Sequence, residues 1–223
     1  MRTEHRLRQQ IVCVSRRIWE RGWVANHDGN ATARAAPGRI VATATALSKR
    51  EIDSEKLIVV DESRRVVSGR LRPFSELGLH LVVYAGRPDV GAVLHAHPPH
   101  ATARALLGLP LPCFLPEAVV SLGLEIPLVP PAAPGAEAER ALSPFVEAND
   151  AALLGGHGVL SWGDDPEQCY LRMELVEHLS RIADLVEARG PLPSLPPELL
   201  RKLLESRARA GLGSEGRRGR ARV

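Results

Sequence analysis

Cysteine is scarce in this chain. Three are present, Cys13, Cys113 and Cys169, an odd number at wide spacing with no CxxC pair. That excludes a disulfide framework and leads us to expect a reducing, cytoplasmic compartment. Long apolar runs are missing too. The most apolar stretch, residues 101–131, is interrupted by Arg104, Glu117, Glu125 and several prolines, which excludes a membrane span. The basic start is followed by no apolar segment of the leader type, so no signal peptide is expected. No internal repeat is visible. A net positive charge is absent from most of the chain despite an overall charge of +3. Residues 201–223 hold eight Lys/Arg and two Glu, which puts that segment at +6 and the remainder near −3. The basic segment has no aromatic residue to stack on a base and no reader motif. A nucleic-acid partner is therefore not expected, and a flexible solubilising end is.

What is present suits one sizeable globular domain. A chain of 223 residues buries roughly 70% of its unfolded surface without staples. Residues 3–21 read as a helix, with Leu7, Ile11, Val14, Ile18 and Trp19 at three- and four-residue spacing and Gly22 placed to stop it. Residues 26–34 read as a polar loop whose backbone N–H groups suit an anion. Strands are expected over 39–43, 57–61, 66–67 and 126–129, with a hairpin turn at 61–65. Ser75 is placed to cap a helix reaching Tyr84. Further helices are expected over 98–107 and from 135 to about 149. A long one follows Asp165-Pro166, with Asp165 as cap and Pro166 at the first helical position. Residues 1–190 thus form one α/β domain. Residues 191–223 are expected to be a proline linker, a short helix and a basic flexible tail. Helices interleaved with hairpin strands point to a mixed sheet covered by helices.

The chemistry concentrates in histidines. In the apolar strand that ends at His95-Ala-His97, alternation puts both imidazoles on one face, and Pro98-Pro99 ends the strand. His157 lies between Gly155-Gly156 and Gly158, at the tip of a turn joining two apolar runs. Three imidazoles with an open position are the ligand set of a catalytic zinc site. A lone histidine is by default a solvated or core residue; the two patterns together favour metal. Glu76 admits three readings: metal ligand, general base, or a first-turn carboxylate favoured by the helix dipole.

In chain order, Gly29-Asn-Ala-Thr-Ala-Arg34, Thr43-Ala-Thr45, Pro73-Phe-Ser-Glu76, Val93-Leu-His-Ala-His-Pro-Pro-His-Ala-Thr102 and Leu153-Leu-Gly-Gly-His-Gly-Val159 resemble the class II aldolase/adducin-head family. Its members include sugar-phosphate aldolases, 4-epimerases and dehydratases. The resemblance spans about residues 5–190, and the ordered set is far more specific than any one piece. It implies a single-domain α/β fold with a central, largely antiparallel mixed sheet flanked by helices. It implies Zn2+, or another divalent ion such as Mn2+ or Co2+, on His95, His97 and His157. Glu76 would be a fourth ligand and a base during turnover. Gly29, Asn30, Thr45 and Ser75 match positions that hold a substrate phosphate. The implied partners are a sugar or sugar-phosphate substrate and a homotetramer with sites at subunit interfaces. Three departures stand out. Phe74 replaces a second serine, Ala46 replaces a glycine, and Pro116 falls where aldolases carry a catalytic tyrosine. Glu117 falls near the acid/base glutamate of the dehydratase branch; its bland reading is a first-turn carboxylate. The implied function is a metal-dependent aldolase cleaving a ketose phosphate or related hydroxyketone through an enediolate. The alternatives are an epimerase or dehydratase on the same scaffold, or a non-catalytic adducin-like module.

Overall fold

A computed structural model describes residues 3–220. Met1 and Arg2, at the start of the stretch read for a leader, and the last three residues of the expected tail lie outside the described residues. The chain builds an eight-stranded sheet in the order β4-β3-β2-β1-β5-β10-β9-β8. The strands are β1 (Asn30–Ala36), β2 (Arg39–Ala42), β3 (Ile58–Val60), β4 (Val66–Ser68), β5 (Ala92–Ala96), β8 (Leu128–Val129), β9 (Ala151–Leu154) and β10 (Gly158–Gly163). Every ladder is antiparallel except β8–β9. A separate pair, β6 (Leu111–Pro112) and β7 (Glu125–Ile126), lies apart from it. The expected mixed, largely antiparallel α/β fold is the fold observed.

Alternation along the strands sends side chains into two cores, one on each sheet face. Ala31, Ala33, Val41, Val59, Ala92, Leu94, Ala96, Leu153 and Val159 join one core with α1 (Glu4–Glu20), α3 (Pro99–Leu106), α4 (Pro116–Leu122) and α6 (Pro166–Glu187). Ile40, Ala42, Ile58, Val60, Val93, Leu160 and Trp162 join the other with α2 (Leu77–Gly86) and α5 (Ala136–Val146). The caps of the two long helices follow from sequence. Thr3 Oγ1 accepts from Arg6 N, and the Asp165 carboxylate accepts from Gln168 N with Pro166 opening α6. Among the described residues, no helix is long and apolar enough to cross a membrane.

Four expectations need correction. Residues 30–34 are strand, not loop: Ala31 and Ala33 face a core while Asn30, Thr32 and Arg34 face the other way, and β2 and β5 pair on either side. Small alanines hide that alternation from a hydrophobicity reading. Residues 126–129 are not one strand. Pro127 lacks an N–H, and the segment divides there, 125–126 pairing with β6 and 128–129 with β9. Ser75 does not cap α2. The N-cap is Glu76, whose side chain makes no capping bond and turns elsewhere. The segment after the proline linker is helical through Arg220, as α7 (Pro197–Arg209) and α8 (Gly213–Arg220), and α7 packs on α4. Buried Arg207 anchors it, donating to the Val120 and Ser121 carbonyls and to Asp150.

Ala46 adopts φ +59° on the exposed loop after β2. A side chain in the left-handed region costs about 1–2 kcal/mol, and glycine returns about half of that as unfolded-chain freedom. Ala46→Gly is expected to stabilise the chain by roughly 0.5–1 kcal/mol, a rise of about 1–4 °C in Tm, read by thermal unfolding. An unchanged or lower Tm would show that the loop relaxes around the alanine.

Candidate metal centre

The site is assembled at the ends of the central strands, on the α2 face of the sheet. Asn30 and His95 are register partners across β1 and β5, so both point to that face. His97 lies two residues on, over the same face. His157 comes from the 155–157 turn between β9 and β10, and β10 pairs with β5 on the side opposite β1. Glu76 sits at the start of α2, directly across. Two glycines allow this crowding. A Cβ on Gly158 would lie 2.6 Å from His97 Cδ2 and 2.7 Å from the Ala96 carbonyl oxygen. A Cβ on Gly29, at φ +73°, would lie 2.5 Å from Val24 Cγ1 and 3.1 Å from the His95 carbonyl oxygen.

The three imidazoles converge. Their ring centroids form a near-equilateral triangle with sides of 4.8, 4.6 and 4.9 Å. One ligand nitrogen from each lies within 4.8 Å of the others. The Nε2 atoms of His95 and His97 are 3.0 Å apart. His95 Nδ1 is 2.9 Å from the Val159 carbonyl oxygen, which only accepts, so Nδ1 carries the proton and Nε2 aims a lone pair at the centre. Tetrahedral zinc with bonds of ~2.0–2.1 Å separates its nitrogens by about 3.3 Å. The donor set therefore suits a divalent ion after shifts of an ångström or less. Burial pushes the His95 pKa down to about 4 and lowers that of His97, with His157 beside it adding to the effect. His95 and His97 are thus neutral and available as ligands at neutral pH.

Glu76 faces the triad, with Oε1 3.1 Å from His157 Nε2 and Oε2 3.6 Å from His95 Nε2. Asn30 Nδ2 donates to Oε2 at 2.8 Å. Burial alone would raise the Glu76 pKa, but His95, His157 and Asn30 outweigh it and hold the carboxyl below its ordinary range. It is a carboxylate at neutral pH, able to ligate or to take a proton. The exposed edge of the centre is His157, whose side chain is 39% accessible.

The remaining expected residues divide. Gly29 and Asn30 adjoin His95 directly. Thr45 and Ser75 lie on two loops tied together by the Ala44–Pro73 bridge and by Thr45 N donating to the Arg72 carbonyl. Phe74 is buried with its ring edge-on to His80 at 5.1 Å, so it faces the core. Glu117 is exposed in the first turn of α4, and no hydrogen bond or ion pair joins it to the triad among the described residues.

Sequence reasoning assigns no role to Asp28 or Trp23 and reads His80 as structural. Asp28 Oδ2 lies 3.8 Å from His97 Nδ1, beyond hydrogen-bond reach, so it acts on that ring through its charge. Trp23 fixes the backbone there by accepting from His97 N. His80, one turn after Glu76 on α2, is fully buried, and its Nδ1 lies 2.9 Å from Thr32 Oγ1, which also meets the Tyr84 hydroxyl. Burial holds the His80 pKa down to about 3, so it is a neutral wall behind Glu76. Of these, only the His80 spacing to Glu76 was visible beforehand.

Residues 9–183 match the family described as Class II Aldolase and Adducin N-terminal domain. The chain is similar to a methylthioribulose-1-phosphate dehydratase from Acidiphilium cryptum, at 31% identity over 182 residues covering 77% of this chain and 86% of the relative. It is similar to a 3-oxo-tetronate 4-phosphate decarboxylase from Pectobacterium atrosepticum, at 29% identity over 186 residues covering 81% and 84%. Among solved structures, an L-fuculose 1-phosphate aldolase superposes with a TM-score of 0.84 at 25% identity, covering 92% of this chain and 97% of that one.

Proposed function

The chain belongs to the class II aldolase and adducin N-terminal domain family, and from that premise we propose that it is a divalent-metal-dependent aldolase cleaving a ketose phosphate or related hydroxyketone. The observation that carries this reading is the convergence of His95, His97 and His157, with Glu76 across from them. A divalent ion held there, zinc in this reading, would supply Lewis-acid stabilisation of an oxyanion developing on the substrate. The chain's own residues do the rest. His95, fixed by the Val159 carbonyl, keeps its Nε2 directed inward. Asn30 steadies Glu76, and the Glu76 carboxylate takes and returns the proton moved as the carbon–carbon bond breaks. Gly29, Asn30, Thr45 and Ser75 bind the far end of the substrate. Homotetrameric assembly, which would bring a neighbouring chain to the site, and a cytoplasmic location belong to the same reading.

A dehydratase is the second reading. It is supported by the 31% identity to a methylthioribulose-phosphate dehydratase and gives Glu117 the role of moving a proton. A 4-epimerase would break and remake the bond that the aldolase breaks. Metal analysis of the purified chain, followed by incubation with fuculose phosphate, ribulose phosphate and methylthioribulose phosphate and identification of products, separates these. Aldehyde fragments support the aldolase, loss of water the dehydratase, and an inverted ketose the epimerase. A chain that holds no metal and turns over none of them is an adducin-like module, and the lyase reading falls.

Glu76→Gln keeps shape and the Asn30 contact but removes the base. It is expected to lower kcat on the order of 10²-fold with the metal retained. Turnover measured beside metal content checks this; unchanged kcat would assign proton transfer to another group.

A further inference from the structure

Lys49 is the least accessible lysine of the described chain, at 2% exposure, in the short turn Lys49–Glu51. Its Nζ donates to two carbonyl oxygens, Leu47 at 2.8 Å and His27 at 3.1 Å. No carboxylate reaches ion-pair distance among the described residues. The charge of Asp28, which lies beside His97, favours the ammonium. An ammonium out of water with only carbonyl dipoles around it is costly unless an anion answers it. Burial lowers its pKa to about 8, so the charge persists at neutral pH.

The location gives the charge a use. The His27 carbonyl belongs to the turn that leads into Gly29 and Asn30, and the Leu47 carbonyl to the loop that carries Thr45. Lys49 therefore lies beneath both loops of the substrate end of the site and ties them together. That end is short of donors in this chain, because Phe74 is turned into the core where a second serine would offer a hydroxyl. We propose that Lys49 supplies the positive charge that makes this pocket select a substrate bearing a phosphate over a neutral hydroxyketone. The proposal rests on the lyase reading and decides within it whether the substrate is phosphorylated.

The test titrates inorganic phosphate calorimetrically into the metal-loaded chain, its Lys49→Met variant and its Lys49→Arg variant, with melting temperatures alongside. Lys49→Met is expected to weaken phosphate binding on the order of tenfold; it also leaves the Leu47 and His27 carbonyls without their donor, so some fall in Tm is expected with it. Lys49→Arg restores most of the affinity. In turnover, Lys49→Met raises KM for a phosphorylated ketose, leaves kcat within about twofold, and leaves the unphosphorylated ketose unmoved. Phosphate affinity within twofold of the parent overturns the proposal. So do equal losses on both ketoses, which mark Lys49 as a structural tie only. Should Lys49→Met fail to fold, phosphate binding to the parent chain at pH 8–9 in two buffers of different ionisation enthalpy decides: uptake of part of a proton supports the charge, and none overturns it. A chain that turns over no ketose sinks the lyase reading while the phosphate titration still decides Lys49.

Discussion

His157→Ala is expected to abolish tight metal binding and to cut turnover on the order of 10³-fold while leaving the fold intact. The size follows from what a bound cation contributes. Lewis-acid stabilisation of a developing oxyanion is worth several kcal/mol, and ~4 kcal/mol is on the order of 10³ in rate. The choice of histidine matters. His95 is buried at 1% exposure and satisfies the Val159 carbonyl, so its removal would orphan an acceptor and open a cavity. His157 sits in a turn, more than a third exposed, and among the described residues its side chain pairs with Glu76 and lies against the neighbouring imidazoles. Truncating it removes a ligand and little else. Its backbone N–H still donates to the Leu154 carbonyl, so the turn keeps its shape. Metal content after dialysis, Tm and kcat together check the expectation. A variant that keeps stoichiometric metal and near-parental turnover would show that two imidazoles and Glu76 suffice, and the three-histidine centre would be wrong.

The centre was legible in the sequence to the extent that it is local. His-x-His at the end of an apolar strand fixes two rings on one face by the pleat alone, whatever the rest of the chain does. His157 was singled out by its flanking glycines, but its approach to the pair depends on β10 pairing with β5, a contact across more than 60 positions that no local pattern shows. Helix ends were legible where capping chemistry is strong, as at Asp165-Pro166. They were not legible at Ser75, because Glu76 there is drawn to the imidazoles and Asn30. The strand beginning at Asn30 was missed because alanine carries a weak burial signal, although the same strand delivers Asn30 to Glu76 and Thr32 to His80. Lys49 and Asp28 were illegible for a related reason: a lysine near a turn reads as solvated, and nothing local shows that two loops close over it. Glu117 was placed by alignment with a family position. In the structure its α4 is held from the far side by α7, through Arg207 on the Val120 and Ser121 carbonyls.

That same arginine leads to the largest stability effect expected in this chain. Asp150, at 1% exposure just before β9, is ringed by four guanidinium groups: Arg207 at 2.8 Å, Arg87 at 3.2 Å, Arg217 at 3.4 Å and Arg172 at 3.5 Å. Arg207 and Arg217 come from α7 and α8, Arg172 from α6, and Arg87 from the end of α2. One carboxylate thus joins the C-terminal helices to the sheet and to two helices on opposite faces. Asp150→Asn keeps the shape and removes the charge, leaving the guanidinium groups crowded without it. Breaking a buried ion pair from one side costs about 3–5 kcal/mol. We therefore expect Asp150→Asn to lower the urea midpoint by roughly 1–2 M, with m little changed. Hydrogen exchange should rise first in α7 and α8. The pH dependence has a definite sign. Burial raises the Asp150 pKa, but the arginines outweigh it and hold the carboxyl below its ordinary value of 3.8. A carboxylate with a depressed folded pKa contributes its full stability above the unfolded value and loses it only as pH falls through the folded one. The gap in stability between the parent chain and Asp150→Asn should therefore stay constant from pH 8 down to about 5 and close only in stronger acid. Arg217→Ala removes a guanidinium that is 17% exposed at the rim and still leaves three around Asp150, so it should cost about 1 kcal/mol or less. If Asp150→Asn proves as mild as Arg217→Ala, the cluster is neutralised by solvent, and the C-terminal helices are held instead by the apolar contact of α7 with α4.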